Sequence, residues 1–129
     1  MPTMQRFSDV PAPARAFWAK SGDPHGHGLL AHMLDVAAVA EAIIRRESAR
    51  TRQWVAGSFG VSLDCAPRWM AALSGLHDFG KGIPGFQAKW LEGQRADESA
   101  GLCFRAASLN VDRHDLASAV LLPRELLRL

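Results

Sequence analysis

Five histidines hold most of the reactive potential of this 129-residue chain: His25, His27, His32, His77 and His114. Imidazole serves as a metal ligand or as an acid–base group, and its neighbours decide which. His32 shares an apolar stripe with Val36, Val39 and Ile43, which predicts an inward direction on a helix. His77 follows Leu73 by four positions and Met70 by seven, so it reads as facing the core side of a second helix. Asp78 stands about 100° further round that helix, close enough for both side chains to reach one point at its edge. A single inward histidine is most simply a buried imidazole bonded to a backbone carbonyl. Inward histidines on two helices beside a carboxylate are a different matter. A desolvated Asp78 needs a partner, and a divalent cation is one of the few that compensates. Two imidazoles and a carboxylate suit Mn, Fe, Co, Ni or Zn, and spacing does not choose among them.

The elements that must position these groups read as helices. Over residues 28–46, Leu29, Met33, Val36, Ala40 and Ile43 form one stripe with Leu30, Ala37 and Ile44 beside it. Interior alanines add propensity, and Arg45, Arg46 and Arg50 place cations near the negative end of the helix dipole. Asp64 ahead of Pro67 signals a second helix start. That helix is predicted to run through Trp69, Met70, Leu73 and Leu76 and to stop near Gly80 in a left-handed cap. A shorter helix is expected from Pro84, carrying Phe86 and Trp90. Residues 92–101 are polar and glycine-bounded and read as a loop. A last helix should begin around Asp112, carry Leu116, Ala119 and Val120, and be interrupted by Pro123. Residues 102–109 and Val111 offer only a poorly alternating strand, so the fold class is all-α.

Composition places these helices in one soluble domain, residues 1–129. Apolar residues are 48% and charged residues 22% of the chain, which excludes a disordered tail. No apolar run nears the roughly 18–20 residues that span a bilayer. Pro2, Pro11 and Pro13 break up the start, which therefore lacks a secretory signal. Cys65 and Cys103 have no Cys-x-x-Cys spacing and are expected as free thiols of a cytoplasmic protein. A net charge of +2 permits a polyanionic partner without arguing for one. Arg45, Arg46, Arg50 and Arg52 read as a solvated helix end, and Trp54 and Trp69 as core rather than as base-stacking platforms. The last residues, Pro-Arg-Glu-Leu-Leu-Arg-Leu, begin a helix without a terminator. The fold is therefore expected to be incomplete at its C-terminal edge. Leu126, Leu127 and Leu129 should pack on the first helices or drive self-association through an apolar patch.

His-Asp at a helix end with a separate upstream His is the pattern of the HD metal-dependent phosphohydrolases. The surroundings are more specific. Leu76-His77-Asp78-Phe79-Gly80-Lys81, followed by Pro84-Gly85-Phe86-Gln87-Ala88-Lys89-Trp90, resembles the N-terminal HD nuclease domain of the CRISPR-associated helicase–nuclease of type I systems. Phe17-Trp18-Ala19-Lys20-Ser21 leading into His27-Gly28-Leu29-Leu30-Ala31-His32 is similar as well, with Gly28 where that family typically has Pro. Arg113-His114-Asp115-Leu116-Ala117-Ser118-Ala119 looks like the family's next histidine segment.

The resemblance implies a helical HD-domain fold, short at its C-terminal side, in a prokaryotic cytoplasmic protein. It implies that His32, His77 and Asp78 bind one metal, that Asp78 bridges to a second held partly by His114, and that Lys81 lies close to the scissile phosphate. His27 matches a recurrent histidine without a ligand role. The family's paired His-His segment and distal Asp have no counterpart here, because no His follows His114. One or two divalent transition-metal ions are expected. Three functions are open. The first is a metal-dependent nuclease module acting on single-stranded DNA in type I interference. The second is a catalytically incomplete mimic that binds the crRNA-guided surveillance complex or the helicase partner and inhibits CRISPR. The third is an unrelated HD nucleotide phosphohydrolase, against which the Phe17 and Phe86 segments argue. No membrane partner is expected.

Overall fold

The computed structural model describes residues 6–22 and 26–126. The expectations placed on Leu127, Leu129 and the Leu126 side chain, like His25, lie outside the described residues. A 3-10 turn, Phe7–Asp9, precedes α1 (Ala12–Ala16), β1 (Trp18–Lys20) and β2 (His27–Gly28). Then come α2 (Leu29–Arg46), α3 (Ala49–Phe59) and α4 (Ala66–Gly75), which runs on as a 3-10 segment, Leu76–Gly82. The chain closes with α5 (Pro84–Gln87), α6 (Leu91–Ser99), α7 (Ala106–Leu109) and α8 (His114–Leu126). The all-α class is borne out, the two short antiparallel strands pairing only Trp18 with Gly28 and Lys20 with His27.

α2 starts where expected and ends on Arg45 and Arg46. It lies along α4, and Gly75 sets how closely: a Cβ there would stand 2.9 Å from the Met33 carbonyl oxygen and 3.0 Å from Ala37 Cβ. At the far end of this pair, Ile44, Val55, Ala56 and Ala66 form a buried apolar cluster, with Phe59, Val61 and Met70 packed against it. The helix α3 that supplies Val55 and Ala56 was not read from the sequence. Ser48 caps it by accepting from the Thr51 N–H at 3.2 Å, and Gly60 ends it in the left-handed region at φ 64°.

Several expectations are corrected. α4 begins after Cys65 rather than Asp64 and ends at Gly75, short of Gly80. Gly80 has no positive φ; it is required instead because a Cβ would lie 2.0 Å from the His114 carbonyl oxygen and 2.5 Å from the Ser118 amide nitrogen. Trp90 caps α6 and does not lie on α5, which stops at Gln87. The segment read as a loop at 92–101 is mostly helix, held by Gly93 and Asp97 facing inward. α8 starts two residues after Asp112 and carries Pro123 within it, where only one helical bond is lost, near the last turn. No strand forms over 102–109. The outer part of the α2 stripe is solvent-facing, with Val39 59% and Ile43 54% exposed. Trp54 and Trp69 are not core: they are 72% and 49% exposed, Trp69 stacking on Phe59.

Candidate metal centre

The site sits where the first turns of α2 meet the 3-10 segment. A 3-10 turn rotates successive residues by about 120°, so His77 and Asp78 leave it in different directions. Asp78 points inward and is 5% exposed. His77 does not face the core, as the stripe with Met70 and Leu73 suggested. Its side chain is 48% exposed and Leu73 is equally open, so only Met70 of that stripe packs on the core.

Two clamps fix the 3-10 segment. From α8, the buried Ser118 hydroxyl accepts from the Gly80 N–H at 2.7 Å and donates to the His77 carbonyl at 3.0 Å. From α5, the completely buried Gln87 side chain donates to the carbonyls of Lys81 at 2.7 Å and Trp18 at 2.8 Å. Gln87 Oε1 accepts from the Trp18 N–H at 3.0 Å, and its backbone carbonyl accepts from the Trp18 indole. Trp18 then packs on Phe86 and Trp90 at 4.9 and 5.5 Å between centroids, the small aromatic cluster beside the site.

The sequence-selected residues converge on the Asp78 carboxylate. Oδ2 lies 3.0 Å from His32 Nε2, 3.1 Å from His77 Nε2 and 2.7 Å from Lys81 Nζ. Ligand atoms of His32, His77 and Asp78 all lie within 4.8 Å of one another. His114 Nε2 approaches the other oxygen, Oδ1, at 3.5 Å and stands outside that tight group. His27 pairs with Asp35 at 3.1 Å and touches the His32 ring edge-on at 5.7 Å. Burial is the largest influence on the Asp78 carboxyl and works to raise its pKa. The hydrogen bond and charge of Lys81, with His77 and His32 behind them, outweigh it and hold Asp78 below the usual carboxylate range.

The donor chemistry fits a divalent ion. His77 Nδ1 lies 2.7 Å from the Ser74 carbonyl oxygen, which only accepts, so Nδ1 carries the proton. His77 Nε2 faces the Asp78 carboxylate at 3.1 Å, so the ring presents its second nitrogen and the carboxylate oxygen to the same point. A backbone carbonyl holding the far nitrogen of a ligating imidazole is the usual second layer of a metal site. Sequence reasoning missed the Ser118 and Gln87 clamps. Gln87 and Ser118 stand inside the motif segments, but nothing in a single sequence marks either as buried and multiply bonded.

No helix among the described residues is long and apolar enough to cross a membrane. The chain matches the family model of the Cas3 HD domain over residues 18–129. It is 55% identical over 91 residues to the CRISPR-associated endonuclease/helicase Cas3 of Thermus thermophilus, covering 70% of this chain and 10% of that protein. A crystal structure of a CRISPR-associated protein superimposes with a TM-score of 0.61 at 37% identity, over 74% of this chain and 11% of that one. The chain thus spans about a tenth of the length of either relative. With a family match across nearly its whole length, it belongs to the Cas3 HD-domain family.

Proposed function

We propose that this chain is a metal-dependent nuclease module of type I CRISPR interference that hydrolyses phosphodiester bonds in single-stranded DNA. The observation that carries the reading is the convergence of His32, His77 and the buried Asp78, whose ligand atoms all lie within 4.8 Å of one another, with the far nitrogen of His77 held by the Ser74 carbonyl. His32, His77 and Asp78 hold one divalent transition-metal ion. His114, on the opposite oxygen of Asp78, is the residue placed to help hold a second. A divalent ion in this group supplies Lewis acidity, which activates water near neutral pH and offsets phosphate charge. Asp78, kept ionised by its neighbours, anchors the group at the end of the 3-10 segment. The Lys81 ammonium adds positive charge where the scissile phosphate approaches. Ser118 and Gln87 keep these side chains in register by holding the backbone on either side of Asp78.

A second reading, a binding module that docks on the surveillance complex or helicase partner without cutting, is favoured by one observation. The tight ligand group among the described residues contains three side chains, which is few for a two-ion site. The test measures cleavage of single-stranded DNA in Mn²⁺ or Ni²⁺ by the chain and by Asp78→Ala, alongside binding to the surveillance complex. Weak cutting that disappears in Asp78→Ala supports the nuclease. Binding by both forms with no cutting by either supports the docking module.

A further inference from the structure

We propose that Lys81 competes with the metal for Asp78, so that loading the site requires the ammonium to leave Oδ2. The inference rests on the reading that His32, His77 and Asp78 hold a divalent ion. Lys81 Nζ is 2.7 Å from Oδ2, nearer than either imidazole nitrogen, and all three nitrogens crowd one oxygen. A carboxylate oxygen offers about two acceptor directions, and the Lys81 ammonium takes one of them. An ion bound between the two imidazoles would sit roughly 2.0–2.2 Å from Oδ2. An ammonium at hydrogen-bond distance from that same oxygen would have to share its negative charge with a divalent cation only a few ångströms away, and the two positive charges repel.

The surroundings give Lys81 a second place to stand. Its side chain is only 12% exposed, so it does not swing freely into solvent. Nζ is already 3.4 Å from the Ala19 carbonyl oxygen and 5.5 Å from the centre of the Phe86 ring. Both accept a cation, the ring through its π-face. A small pivot of the last side-chain bonds exchanges Asp78 for these two contacts. The same pivot leaves the charge beside the metal group, facing incoming phosphate. Lys81 therefore neutralises Asp78 before loading and is released toward substrate by it.

Competition of this kind is reciprocal: whatever the ammonium gains from Asp78 is lost from metal affinity. The test titrates Co²⁺ into chelator-treated protein, following its visible absorption, for the wild type, Lys81→Met, Lys81→Gln and Lys81→Arg. Met keeps the buried stem without the charge, and Gln repeats the measurement with a neutral polar chain. Both should bind Co²⁺ with a Kd about tenfold lower than the wild type. Their chelator-treated forms should melt earlier, a difference that closes on Co²⁺ saturation. Lys81→Arg, which keeps the charge, should stay near the wild type. Unchanged or weaker Co²⁺ binding in Met and Gln, or tightening in Arg as large as theirs, overturns the competition while leaving the metal site standing. No Co²⁺ binding by any form overturns the metal reading and this inference with it.

Discussion

The two ends of the α2–α4 pair are stabilised in different ways. At the far end a handful of apolar side chains, Ile44, Val55, Ala56 and Ala66, form a cluster, while Val39, Ile43 and Trp54 face solvent nearby. At the site end Trp18, Leu29 and Phe86 are buried too, but around buried polar groups, Asp78, Gln87 and Ser118, each with specific partners. Apolar burial is non-directional and tolerates exchange of one hydrophobe for another. Buried hydrogen bonds do not, because removing one partner strands the other. The site end is thus built for position, and the far end for cohesion.

That contrast is broken most severely at Gly80. A methyl group there meets two backbone atoms of α8, neither of which can give without moving the helix. Gly80→Ala should cost about 4 kcal/mol of stability in urea unfolding, and should abolish metal binding in any fraction that folds. Gln87→Leu keeps the volume but strands the Trp18 N–H and two backbone carbonyls. It should cost about 3 kcal/mol in the same assay. A loss below about 1 kcal/mol would mean that water replaces the clamp.

How far this division was legible in the sequence follows from the same physics. The α2 helix and the all-α class follow from periodicity, while the convergence of His32, His77 and Asp78 follows from the motif, since periodicity alone turned His77 toward the core. The 3-10 continuation of α4 does not, since its residues fit an α-helical stripe as well until Gly80 is seen against α8. α6 was missed because its inward residues are Gly93 and Asp97, which no hydrophobic pattern reveals. The exposure of Trp54 was missed for the converse reason: periodicity locates a face but not what lies against it.

Asp97 sharpens the comparison further. Its carboxylate is fully buried and neither oxygen has a hydrogen-bond partner among the described residues. Burial, with a smaller push from Glu98, raises its pKa to about 6. A carboxyl raised in the folded state destabilises as it ionises, so this residue's contribution falls as pH rises from about 4 to about 6 and stays low above. Asp97→Asn should flatten that stretch of the Tm–pH curve and leave metal binding unchanged. A curve of unaltered slope would mean that the carboxylate is solvated. The smallest effect belongs to the far end: Val39→Ser, on an exposed position, should change stability by no more than about 0.5 kcal/mol in urea unfolding. A loss several times larger would show that this face is covered.

The central claim is that His32, His77 and Asp78 hold one divalent ion. Crystals grown in Mn²⁺ and measured at wavelengths where manganese scatters anomalously test it directly. The account predicts a strong peak roughly 2.0–2.3 Å from His32 Nε2, His77 Nε2 and an Asp78 oxygen, absent from Asp78→Ala crystals. No peak at that position, or one there that persists without the Asp78 carboxylate, would contradict it.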